Sequence, residues 1–228
     1  MTTTDTSTFQ GFSAKMLTFL SQLGRNNNRD WFQKNRATYD DELMEPAKAF
    51  VEAMGEKLPG ISPDIRAEPR VNGSIRRINR DTRFSKDKTP YKTHLEFHFL
   101  QGEGKERPAY YLAIKADSFG IGAGMYCMKP VLEQYREAVS GPQGKMLVSA
   151  VGRAEKEGYK TGGEQLKRVP RGYDADHERA DLLRHTGLYV AKDILIPKEF
   201  HSRSLVPFCI REFRKLANFV EWQTMLVD

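Results

Sequence analysis

With 228 residues, 39% of them hydrophobic, 11% aromatic and 29% charged, the chain is long enough to bury a sizeable core, which excludes both a disordered polymer and a mini-protein that needs staples. Its two cysteines, Cys127 and Cys209, form no C-x-x-C pair, which excludes a disulfide framework and a zinc ribbon and predicts free thiols in a reducing compartment. The net charge of +6 is local: residues 70–92 hold eight Lys or Arg against two Asp, and the remaining 28 basic and 28 acidic residues cancel.

Residues 1–8 are small and polar and read as a disordered tail, so the fold is expected to begin near Phe9. The N-terminus lacks the basic and apolar regions of a signal peptide, and the longest uncharged run, residues 118–128, falls well short of the roughly 18 residues of a membrane span. A cytoplasmic protein without a membrane partner is expected. Ser13 opens a helix whose apolar positions are Met16, Leu17, Phe19, Leu20 and Leu23, stopped by Gly24 and Asn26-Asn27-Asn28. Asn28 caps a second helical stripe through Phe32, Tyr39, Leu43, Ala47, Phe50, Met54 and Leu58, with either a kink or a junction of two helices at Pro46.

After Pro59-Gly60 the texture becomes strand-like. Leu95, Phe97 and Phe99 alternate with His94, Glu96 and His98, which predicts a half-buried strand over 93–100, and 109–116 follows as its hairpin partner. Gly120, Gly122 and Gly124 leave one face of the next run bare, for close backbone packing or for a ligand. Pro130 opens a helix, a second covers 143–157, residues 162–185 read as a charged loop, 188–196 as a last strand, and Ser204 caps a final helix. Strands in the middle with helices before and after predict an α+β fold: a central, mainly antiparallel sheet with helices from the N- and C-terminal parts packed on it, in a single domain over 9–228.

The basic segment is the main functional signal. Arg76, Arg77, Arg80 and Arg83 can grip phosphate or carboxylate in bidentate fashion, and Lys86, Lys88 and Lys92 add point charges. Arg76, Arg80 and Arg83 share a face if the segment is helical, and Arg76 and Arg80 still share parity if it is extended. Pro90 biases Thr89 to extended geometry. The same field keeps Asp81 and Asp87 ionised, suited to orienting arginines or holding a metal beside a phosphate. The bland alternative is a solvated loop with its arginines paired.

Three motifs, N-N-N-R-D-W-F at 26–32, I-N-R-D-T-R-F-S-K-D-K-T-P-Y-K at 78–92 and L-K-R-V-P-R-G-Y-D-A-D-H at 166–177, occur in an order that resembles the domain of unknown function 2461 family over almost the whole chain. The G-M-Y-C-M-K-P run at 124–130 resembles that family's glycine-rich stretch, with Cys127 departing from the pattern. The resemblance implies one full-length domain and carries no chemistry, because the family is named for its lack of an assigned function.

Three further constellations have structural rivals. His177 beside Asp174 and Asp176 could exchange protons near neutral pH, or it could sit in the first turn of a helix that one of the aspartates caps. His94, Glu96 and His98 share one strand face, but same-face positions lie roughly 6.5–7 Å apart and converge poorly on one ion, so no metal site is expected. Trp31 and Phe32 read as core anchors. The leading reading is a protein that binds a compact phosphate-bearing or polyanionic ligand through the seven cations, with at most weak nucleic-acid binding. The alternatives are an enzyme on a phosphorylated small molecule, using Asp81 or His177 for proton transfer or metal binding, and a scaffold whose arginines pair with Asp40-Asp41-Glu42. The sequence identifies no cofactor and no oligomeric state.

Overall fold

Local chemistry accounts for the first helices. In the computed structural model, which describes residues 8–104 and 106–227, Ser13 accepts from the Met16 amide and opens α1 (Ala14–Arg25), whose residues Met16, Phe19, Leu20 and Leu23 are buried. Residues 1–7 of the expected tail lie outside the described residues. Asn28 likewise caps α2 (Arg29–Lys34) by accepting from the Trp31 amide. The stripe then continues through α3 (Arg36–Tyr39), a π-helical segment (Asp40–Met44) and α4 (Glu45–Gly55). Of the kink and the meeting of two helical segments expected at Pro46, the second is found: the proline sits in the first turn of α4, directly after the π-helical segment. Every expected stripe residue from Phe32 to Leu58 is buried.

The strands β1 (Leu95–Leu100), β2 (Ala109–Ile114) and β3 (Ser118–Met125) follow. After them come α5 (Leu132–Ser140), α6 (Gln143–Lys156), β4 (Lys160–Gly162), α7 (Ala180–Leu183), β5 (Leu188–Leu195) and α8 (Leu205–Thr224). The strands form one antiparallel sheet in the order β1-β2-β3-β5-β4, and the fold is α+β. The expected loop over 162–185 begins inside a strand that the sequence does not announce: Lys160, Thr161 and Gly162 pair antiparallel with Ala191, Val190 and Tyr189. Three residues are too few to show a period, and only the partner strand makes them a strand.

Packing divides the chain into two units, Met1–Phe99 with Tyr111–Gly120 and Asp193–Arg211, and Leu100–Tyr110 with Ile121–Lys192 and Glu212–Asp228. In the first, Phe12, Phe50 and Phe97 form an aromatic cluster that packs α4 on β1, with the Phe50 and Phe97 ring centroids 5.2 Å apart. In the second, Tyr110 of β2 meets Phe213 of α8 at 4.8 Å, and Trp222 donates its indole N–H to the Gln143 carbonyl at 2.9 Å. The glycine alternation in β3 serves close packing: a Cβ on Gly124 would meet the backbone of Leu188 and Tyr189, and one on Gly120 would meet Ala113 and Asp193. No helix among the described residues is long and apolar enough to cross a membrane.

Candidate functional site

A groove in the first unit gathers the chemistry, and a long-range amide clamp shapes it. The Asn27 side chain donates to the Tyr91 carbonyl at 2.8 Å and accepts from the Tyr91 amide at 3.0 Å, across 64 positions of sequence. One turn further on, the Phe32 ring stacks on Tyr91 with centroids 4.2 Å apart. These contacts bind the first two sequence motifs into one structure. Tyr91 is buried, so removing the clamp orphans two backbone groups. Asn27→Ala is expected to lower stability by about 2 kcal/mol in urea denaturation; a loss under about 0.5 kcal/mol would show that the clamp does not hold the segment.

The backbone of residues 74–80 runs antiparallel to 90–98, with Ile75 opposite Phe97 and Asn79 opposite Tyr91. The Arg76, Arg80, Lys92 and His98 amides donate to the Glu96, Pro90, Ile78 and Ser74 carbonyls at 2.7–2.9 Å. Of the helical and extended alternatives, the extended one is therefore realised up to Arg80, and residues 81–89 form the intervening loop. Arg80 folds that loop by pairing with Asp87 and donating to the hydroxyl and carbonyl of Thr89. Arg83 pairs with Asp81 at 2.7 Å, Lys92 pairs with Glu96, and Lys88 donates to the Thr82 carbonyl at 2.9 Å. Arg76, Arg77 and Lys86 are exposed, and their side chains make no ion pair or hydrogen bond among the described residues. At the loop tip Phe84 is 96% exposed, with the Arg83 guanidinium 5.7 Å from its ring centroid.

Arg77 opens onto a groove of about 570 Å³, within the size range of small-molecule sites. Its strand-side wall is Val71, Arg77, Ile78, Asn79 and Tyr91; the helical wall presents Gln33, Arg36, Asp40, Met44, Glu45 and Lys48. Gln33, Arg36, Asp40, Met44 and Lys48 recur every three to four positions and so share one side of the helical run, next to the buried stripe, whose Phe32 and Tyr39 also line the groove. The π-helical segment lies in the middle of this wall, and such segments are frequent at functional sites. Arg36 Nε donates to Asp40 Oδ2 at 2.8 Å and lies 5.5 Å from the Tyr39 ring centroid, while Lys48 donates to Glu45 Oε1 at 2.7 Å. Burial pushes the Tyr39 phenol up to about 12, so it stays a neutral hydroxyl.

The scaffold alternative needed the arginines of residues 70–92 to pair with Asp40-Asp41-Glu42. That pairing is not found among the described residues: Asp40 takes Arg36, and Glu42 takes Ser13 and Lys15, both from α1 and its cap. Asp81 is held near 2 chiefly by the hydrogen bonds from Arg83, a poor proton donor or acceptor at neutral pH. His177 belongs to the second unit, where its Nδ1 accepts from the Arg179 amide at 2.9 Å and Asp174 accepts from the Asp176 amide. Both are turn-closing bonds ahead of α7, and neither aspartate is the N-cap.

On the β1 face, Glu96 accepts from His94 at 2.9 Å and from Lys92. Burial alone would raise the Glu96 carboxyl, but these partners outweigh it and hold it near 2. His98 is pushed down to about 4 by burial and then by Arg76. Among the described residues no group of three or more His, Cys, Asp or Glu side chains is placed to share a metal ion.

Asn27, Arg36, Asp40, Glu45 and Lys48 were not singled out as site residues from sequence. The spacing of the four charged ones, i to i+4 and i to i+3, was a usable signal, since it places them on the open side of the same stripe that marked the core. The family model described as "Conserved hypothetical protein (DUF2461)" matches residues 15–222. No curated protein matches the chain.

Proposed function

The chain belongs to the DUF2461 family, whose description assigns no activity, and we propose, from the residues alone, that it binds a compact phosphate-bearing ligand in the groove of the first unit. The observation that carries this reading is Arg77, an exposed guanidinium without an ion pair or hydrogen bond among the described residues, on the wall of a concave site. Arg is the side chain best suited to bidentate phosphate contact, and an unpaired one need not break a bond to make it. Arg36 and Lys48 line the same groove. Arg76, Lys86 and Lys88, which make no ion pair among the described residues, supply the positive field that draws the anion in, while Arg80, Arg83 and Lys92 are held by Asp87, Asp81 and Glu96. Asp40 and Glu45, which line the same groove as Arg77, disfavour a long polyanion, so nucleic-acid binding is expected to be weak and strongly salt-dependent. The two cysteines, which form no C-x-x-C pair, support a cytoplasmic location, and the family match across both units supports a single domain.

The test is thermal stabilisation by a panel of phosphosugars, nucleotides and inorganic phosphates. A ligand at 100 times its dissociation constant adds about 2.7 kcal/mol. Arg77→Ala, at an exposed position, is expected to fold as wild type and to weaken binding by about 1.5–3 kcal/mol, the range of a charged hydrogen-bond contact. If no anion raises the melting temperature, or if Arg77→Ala responds as wild type does, the reading fails.

A further inference from the structure

We infer that the groove takes a ligand with a single phosphate monoester and a hydroxylated or aminated body, and that it discriminates against polyphosphates; the inference rests on the binding reading above. Three cations and two carboxylates line the groove, but they are not equivalent. Arg36–Asp40, at 2.8 Å, and Lys48–Glu45, at 2.7 Å, are closed pairs within the helical wall. Each is neutral taken together, which leaves Arg77, whose field also reaches Asp81, as the one cation without an ion pair among the described residues that line the groove. One guanidinium matches one phosphate monoester, whose charge at neutral pH is about −1.5 to −2.

The carboxylates decide what the rest of the ligand is. The side chains of Asp40 and Glu45 remain 45% and 65% exposed, and each uses a single oxygen in its pair. An ionised carboxylate only accepts hydrogen bonds, so the second oxygen of each offers a site to a hydroxyl or an ammonium and repels another phosphate. Gln33 and Asn79 add amides that both donate and accept. Met44, Val71 and Ile78 supply apolar surface for a carbon frame. A second or third phosphate would have to lie against Asp40 or Glu45, or break one of their pairs. Phosphosugars and nucleoside monophosphates share the chemistry that fits.

The experiment is calorimetric titration of the full chain, without divalent metal, with ribose 5-phosphate, adenosine monophosphate, adenosine, adenosine triphosphate and inorganic triphosphate. At least one monoester is expected to bind about tenfold or more tightly than either triphosphate, and adenosine more weakly than the monophosphate. A tenfold preference for the nucleotide over ribose 5-phosphate would assign the body as a nucleoside, and equal binding would assign it as the sugar. In Asp40→Asn/Glu45→Gln the preference should collapse: the triphosphates gain about tenfold, because two repelling charges are gone and two cations are freed, while the monoester gains nothing. Asp40→Asn alone provides the same test, with a smaller gain, should the double variant melt early. Triphosphates that bind wild type as tightly as the monoesters, or that gain nothing in the variants, overturn the inference. If they bind and Arg77→Ala abolishes their binding, the binding reading stands while this inference falls; if no probe binds, both fall.

Discussion

Glu212→Gln is expected to destabilise the protein by about 3 kcal/mol, the low end of the range for removing one partner of a buried ion pair. The carboxylate is 8% exposed and accepts from the Tyr159 hydroxyl at 2.8 Å, from Lys192 at 2.6 Å and from Lys215 at 2.8 Å. These contacts join α8 to β5 and to the residue that precedes β4. Lys192 lies 4.3 Å from the Tyr159 ring centroid and is itself largely buried, so the amide variant leaves an ammonium in the interior without a counterion. Lys215 retains Glu157 at 2.9 Å, which keeps the loss at the low end. Burial alone would raise the Glu212 carboxyl, but the bonds from Lys192, Lys215 and Tyr159 outweigh it and hold it near 2 against an ordinary 4.5. A depressed carboxylate stabilises the fold above its unfolded value and ceases to do so as pH falls through its folded value. The stability gap between wild type and Glu212→Gln should therefore be full at pH 7 and narrow from pH 4.5 towards 2. Urea titrations at stepped pH check both points; a gap under about 1 kcal/mol at pH 7, or one that does not narrow in acid, refutes the account.

Gly124→Ala is expected to cost about 3 kcal/mol or more, and Gly120→Ala under about 1 kcal/mol, although both belong to the same alternating run. Gly124 has φ +140°, which L side chains rarely adopt, and an added Cβ would lie 2.5 Å from the Tyr189 Cα and closer still to the Leu188 carbonyl oxygen. Backbone cannot step aside without opening β3 from β5. At Gly120 the φ is not positive, and the nearest atoms are side-chain atoms, Asp193 Oδ1 at 3.1 Å and the Ala113 Cβ at 3.3 Å, which give more readily. Thermal melts of the two variants measure the difference. Equal losses would mean that the glycines serve flexibility or a ligand rather than the β3–β5 approach.

These two glycines also mark where reading the sequence stops. Alternation was enough to show a bare face, because side-chain parity is a local property of a strand. What approaches that face at Gly124 is Leu188 and Tyr189, more than sixty positions away, and no local pattern encodes that. The unrecognised strand β4 has the same cause, since Lys160–Gly162 is a strand only by virtue of β5.

For the candidate site the division is similar. The sequence by itself determined the caps at Ser13 and Asn28, the buried stripe from Phe32 to Leu58 and the concentration of charge in residues 70–92, because each depends on neighbours within a turn or two, or on composition alone. Only the tertiary structure decided which cation does what. Arg77 and Arg80 are the same residue type three positions apart, yet one stands open in a groove and the other folds a loop around Asp87 and Thr89. That difference follows from the register of 74–80 against 90–98 and from the clamp between Asn27 and Tyr91. Both are contacts between distant positions, whose formation is governed by loop-closure entropy and packing of the whole unit rather than by any propensity of the residues themselves.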